Sequence, residues 1–158
     1  MQITLIQVGK TKHSFVQQAE QEYLKRLTIN AKVNVITLKE ASEISTSETA
    51  RNNAKAQEAT RILDAIPKHT FVMALDEHGK QFSSVEFAKL IEKNRDFEGA
   101  NLTFIIGGPF GLHQTVLEKV QLTLSFSKFT FTHEMIRMLL LEQIYRAFTI
   151  ISKKTYHY

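Results

Sequence analysis

The chain has 158 residues, 43% of them hydrophobic and 23% charged, a composition ordinary for a single soluble globular domain that builds its own core. It contains no cysteine, which excludes disulfides, thiolate nucleophiles and cysteine-ligated zinc or iron–sulfur centres. The net charge of +4 is unevenly placed: residues 1–118 balance, whereas residues 119–158 carry Lys119, Lys128, Arg137, Arg146, Lys153 and Lys154 against Glu134 and Glu142. A one-sided basic region fits either a polyanionic partner such as nucleic acid or a solvated basic tail.

Strands and helices alternate along the chain. Gln2–Val8 is a β-rich run ending at Gly9, and it leaves no secretory leader to expect ahead of it. Ser14–Leu27 is predicted helical, with Phe15, Ala19, Tyr23 and Leu27 four residues apart. Val33–Leu38 reads as a second strand and residues 39–46 as a polar loop. Ser45, with Glu48 three residues on, is expected to open a long polar helix through Ile66, which Pro67 ends. Thr70–Leu75 is a buried third strand, followed by a turn at Asp76–Gly79. Ser83 and Glu86 form a second capping box and start a helix to about Asn94. Leu102–Ile106 is the fourth strand, Leu112–Val120 a short helix, Leu122–Phe126 the fifth strand and His133–Ile151 the last, most apolar helix.

Short apolar strands alternating with helices predict an α/β fold, a mostly parallel sheet with helices on both faces. No repeat, low-complexity tract or linker divides the chain, so one domain over residues 1–158 is expected. The apolar stretches fall well short of a membrane span, and the chain reads as cytoplasmic. Ligands of such sheets collect beyond the carboxyl ends of the strands, which singles out the turns after Leu75, Ile106 and Phe126.

Gly107, Gly108 and Gly111 cluster in the second of these turns, IIGGPFG. Two readings are open: a tight strand-to-helix turn, or a place where backbone approaches a nucleotide-like ligand. The run matches neither a dinucleotide fingerprint nor a Walker loop. Phe126, Phe129 and Phe131 fit an alternating strand as well as an apolar wall. His133 opens the last helix as a cap or a base, with Arg137 one turn later on nearly the same face. Arg146 finds its obvious partner in Glu142, four residues before it. The two arginines belong either to an ion-paired interface network or to RNA binding and catalysis. The six histidines are scattered without ligand spacing, so no metal site is expected.

The runs FIIGGPFGLH and LSFSKFTFTHEMIRMLLLEQIYRAF, with the terminal YHY, closely resemble the RlmH family of small SPOUT-class methyltransferases. QVGK at Gln7–Lys10, EYLKR at Glu22–Arg26 and LDEHGK from Leu75 fit the same family, so the resemblance spans the chain. It implies a C-terminal trefoil (α/β) knot, a homodimer and S-adenosyl-L-methionine as cofactor. The implied reaction is methylation of N3 of a pseudouridine in large-subunit ribosomal RNA on the assembled ribosome. Carried over by position, the cofactor residues are Leu75, Gly107, Phe126, Ser127, Lys128, Phe129, Thr130 and Phe131. The catalytic candidates are His133, Arg137, Tyr156 and His157, and the RNA-binding candidates are Arg146, Lys153 and Lys154. Two positions depart from the family pattern. Thr132 stands where a proline usually precedes the histidine, and Tyr158 replaces a basic or charged end. A rival reading, a non-enzymatic RNA-binding or ribosome-associated module of the same fold, explains the basic tail but not the glycine turn beside FSKFTF.

Overall fold

Gln2–Val8 forms β1, which pairs in parallel with β2 (Lys32–Leu38) on one side and β4 (Asn101–Ile106) on the other. β3 (Thr70–Gln81) adds in parallel beyond β4, and β5 (Leu122–Ser125) adds beyond β3. The resulting five-stranded sheet has the order β2-β1-β4-β3-β5. This computed structural model describes residues 1–42, 47–97 and 101–153, without the side chains of 96 and 97.

Period-two alternation sends neighbouring residues of the central strands into two cores. Ile3 and Leu5 of β1, Met73 of β3 and Phe104 of β4 pack under α1 (Ser14–Leu27), α3 (Ser84–Phe97) and α5 (His133–Ile151). Ile6 and Val8, Val72 and Ala74, and Ile105 face the other way, against α2 (Glu48–Ala65) and α4 (Gln114–Leu117). Each of these side chains except Ala74 contributes roughly 1.5–3 kcal/mol when fully buried. The layered α/β architecture predicted from the sequence is therefore present.

Several boundaries differ from expectation, each for a local reason. The cap of α2 is Ser47, whose hydroxyl accepts from Ala50 N at 3.2 Å, so Glu48 is the first helical residue; Ser45 lies outside the described residues. The Ser83–Glu86 box forms as predicted, with Ser83 N donating to Glu86 at 2.7 Å and Glu86 N to the Ser83 hydroxyl at 3.2 Å. The helix behind it continues to Phe97.

The turn predicted at Asp76–Gly79 is an irregularity inside one longer strand. β3 pairs with Leu124 at Leu75, slips, and pairs with Leu124 again at Lys80. The local turn chemistry is still visible, because Asp76 accepts from His78 N at 2.9 Å. α4 is a single turn rather than the helix expected from Leu112 to Val120. β5 stops at Ser125, so the 126–131 segment is a loop and not an alternating strand. Among the described residues no helix is long and apolar enough to cross a membrane.

Candidate active site

The irregular middle of β3, the carboxyl ends of β4 and β5 and the first turn of α5 line a cavity of about 550 Å³. Of the residues carried over as cofactor contacts, Leu75, Gly107, Phe126, Ser127, Phe129, Thr130 and Phe131 line it. Lys128, exposed in the same loop, does not. Ile106, Leu124 and Ile136 extend the apolar wall, while Asp76 and Glu77 bring carboxylates from the irregular stretch of β3.

The glycine turn is both tight and part of this wall. Gly111 N donates to Gly108 O at 3.0 Å, and Gly111 takes φ +78°. A Cβ on Gly107 would lie 2.8 Å from the Gly111 carbonyl carbon, so the loop itself demands the hydrogen there. A Cβ on Gly111 would meet nothing within 4 Å. The 126–131 loop is shaped by its own serines: Ser125 donates to Ser127 O at 2.9 Å, and Phe129 N donates to the Ser127 hydroxyl at 3.0 Å. It leaves Phe129 80% and Phe131 41% exposed, beside Phe110 at 40% and Met135 at 39%.

Thr132 caps α5 through its hydroxyl, which accepts from Met135 N at 3.3 Å. The cap is thus not His133. A proline here would fix the backbone but supply no acceptor, so the threonine plays a different part. His133 is freed to line the cavity, and its buried Nε2 has no hydrogen-bond partner among the described residues. Burial, followed by the nearby Arg137 charge, holds its pKa below the usual histidine value. A neutral imidazole at the cavity edge results.

Arg137 is placed otherwise than its sequence position suggested. It is fully buried, does not line the cavity, and donates to Val8 O and, at 3.2 Å, to the Thr11 hydroxyl. A guanidinium placed this way supports the loop between β1 and α1. Thr11 in turn donates to Glu20 at 2.8 Å. Arg146 forms the expected pair with Glu142, Nε to Oε1 at 3.0 Å. Lys153 is exposed, in left-handed conformation after the last turn of α5. Lys154, Tyr156, His157 and Tyr158 lie outside the described residues.

Sequence reasoning missed Glu134. It is 5% exposed and accepts from Lys12 N at 2.9 Å and His13 N at 3.1 Å, with the His13 ring Nδ1 at 2.9 Å. Burial alone would raise its pKa, but the His13 and Lys12 hydrogen bonds outweigh that and hold it at about 2. His13, also missed, lines the cavity. Nothing local reveals this contact, whose partners are 121 residues apart. Asp76 and Glu77 were closer to view, since they follow Leu75 in a turn already singled out. No group of three or more metal-ligating side chains occurs among the described residues.

The family model described as "Predicted SPOUT methyltransferase" matches residues 1–157. This chain belongs to the SPOUT methyltransferase family. It is 43% identical, over 99% of both chains, to the ribosomal RNA large subunit methyltransferase H of Clostridium botulinum strain 657. The protein of the same name from Carboxydothermus hydrogenoformans is 42% identical over the same shares. A solved structure of a probable methylase family protein from Haemophilus influenzae superposes with a TM-score of 0.60 at 15% identity, covering 99% of this chain and 70% of that one. That likeness supports the SPOUT fold alone. Within this SPOUT methyltransferase, the cavity at the strand ends joins the glycine turn, the 126–131 loop and His133 in one place.

Proposed function

We propose that this chain is an S-adenosylmethionine-dependent methyltransferase of large-subunit ribosomal RNA, modifying N3 of a pseudouridine on the assembled ribosome. The observation that carries the reading is the one cavity formed by three separated segments, the middle of β3 and the stretches that follow β4 and β5. The name shared by the full-length relatives supports the choice of RNA.

The donor set fits the cofactor. Leu75, Ile106 and Leu124 offer an apolar wall to a flat base, and Asp76 and Glu77 suit hydroxyls and positive charge. The volume is in the range of small-molecule sites. When bound, S-adenosylmethionine supplies a methyl group made electrophilic by its sulfonium. The protein's part is to orient the target nitrogen, exclude water and manage a proton. His133, neutral at pH 7, is a group at the cavity suited to receive the N3 proton. Arg137 and Glu134 hold the surrounding loops. Tyr156 and His157, assigned from the family resemblance, complete the target-nucleotide side, with Arg146, Lys153 and Lys154 serving the RNA.

The same reading includes the trefoil knot, one domain over residues 1–158, a cytoplasmic location and a homodimer. Phe110, Phe129 and Phe131, exposed at the cavity, and Met135, exposed in the first turn of α5, are surfaces that a second copy would cover. Transfer of labelled methyl from cofactor to ribosomes lacking the modification, followed by mapping of the labelled nucleotide, tests the proposal. Label on another nucleotide refutes the site, and calorimetry showing no cofactor binding refutes the enzyme.

A further inference from the structure

The loop between β1 and α1 is held more firmly than a surface connection requires. Glu134 takes the backbone N–H groups of Lys12 and His13, and Arg137 donates to Val8 O and the Thr11 hydroxyl. Gln17 adds a bond from its side chain to Thr11 O at 2.6 Å. Both α5 residues are charged and buried, Glu134 at 5% and Arg137 at 0% exposure. Buried charges add little net stability even when well partnered, but they hold a geometry.

What the loop presents outward is cationic. Lys10, Lys12 and His13 are exposed, and the His13 ring lines the cavity. Phe15, 63% exposed, places its ring 5.8 Å from that of His13. Among the described residues neither lysine takes part in an ion pair. Arg137 is held in the core, and Arg146 is ion-paired with Glu142. The carboxylates Asp76 and Glu77 belong to β3, two strands from β1, so a polyanion reaches the cavity most favourably from the Lys10–His13 side.

We propose that Lys10 and Lys12 form a phosphate-contact site for the RNA substrate, fixed at the rim of the cavity by the buried Glu134 and Arg137. This rests on the RNA-methyltransferase reading above. The backbone there is immobilised in advance, so only the lysine side chains must be ordered on binding.

The test is the salt dependence of binding to ribosomes that lack the modification. The comparison is between the wild type, Lys10→Ala with Lys12→Ala, and Lys32→Ala with Lys68→Ala. Lys32 begins β2 and Lys68 precedes β3, so both sit at the opposite end of the sheet, are exposed, and remove the same charge. Removing one lysine–phosphate interaction should flatten the slope of log K against log salt by about 0.7–0.9. The first double variant should therefore lose up to about two slope units while keeping its melting temperature and, within about twofold, its affinity for S-adenosylmethionine. The second should keep the wild-type slope. An unchanged slope in the first variant, or equal flattening in both, overturns the proposal. A wild-type protein that neither binds nor methylates ribosomes overturns the RNA reading and the loop assignment with it.

Discussion

The carboxylate of Glu134 receives the backbone N–H of His13 at 3.1 Å while the ring of the same histidine sits 2.9 Å from it, so the start of α5 is clasped to the start of α1. Its pKa of about 2 lies below the ordinary value of 4.5, so the charged form is the one that stabilises the fold. That contribution is fully present above about pH 4.5 and is lost as pH falls through about 2. Glu134→Gln should be less stable than wild type by about 2 kcal/mol at pH 7, from weakened bonds to buried donors. Denaturant titrations at pH 7, 4 and 2.5 should show the gap closing as the pH drops; a gap constant with pH would contradict the clasp.

Arg137→Ala should be among the most damaging substitutions. It leaves Val8 O and the Thr11 hydroxyl without their donor and opens a void, at a cost of about 3 kcal/mol or more. Arg137→Lys should rescue little, because one ammonium cannot reproduce the two-pronged contact. Unfolding midpoints decide this, and a neutral effect would mean that the guanidinium is not built in as described.

Gly107 and Gly111 should respond differently to a methyl group. Gly107→Ala drives a Cβ into the Gly111 backbone, so both stability and cofactor affinity should fall, the latter by tenfold or more, about 1.4 kcal/mol. Gly111→Ala meets open space and bears only the strain of its positive φ, about 1 kcal/mol. Calorimetry and thermal melts on the two variants separate a damaged loop from a tolerant one.

The lowered pKa of His133 puts the acid limb of the rate profile below the ordinary histidine range. Activity should rise as the ring loses its proton, along an acid limb displaced to lower pH than an unperturbed histidine would give. His133→Gln should remove that limb and lower kcat by about 100-fold while binding the cofactor normally. An acid limb that survives in the variant assigns the titration to another group.

Removal of residues Tyr156–Tyr158 should abolish methylation and leave cofactor affinity and dimerisation within about twofold, roughly 0.4 kcal/mol. Single-turnover assays beside calorimetry measure both. Full activity in the truncated chain would exclude the tail from the target site.

The order and limits of most elements were legible in the sequence by itself. Gln2–Val8, Ser14–Leu27 and His133–Ile151 have the boundaries read from their patterns, because period and breakers act over a few residues. The turn after Ile106 and the loop that Phe126 begins were legible too, since sheet topology concentrates ligands at strand ends, whereas the turn expected after Leu75 is an irregularity within β3. Tertiary structure alone decided the fate of the charged groups. Arg137, open in the sequence to an interface network or to RNA binding and catalysis, is a buried brace, while Glu134, which the sequence did not single out, is a clasp on a loop 121 residues away. The same holds for Gly107, where a Cβ would meet the backbone of Gly111. A pattern records which face a residue takes; what a charge or a hydrogen atom meets there depends on segments that only folding brings together.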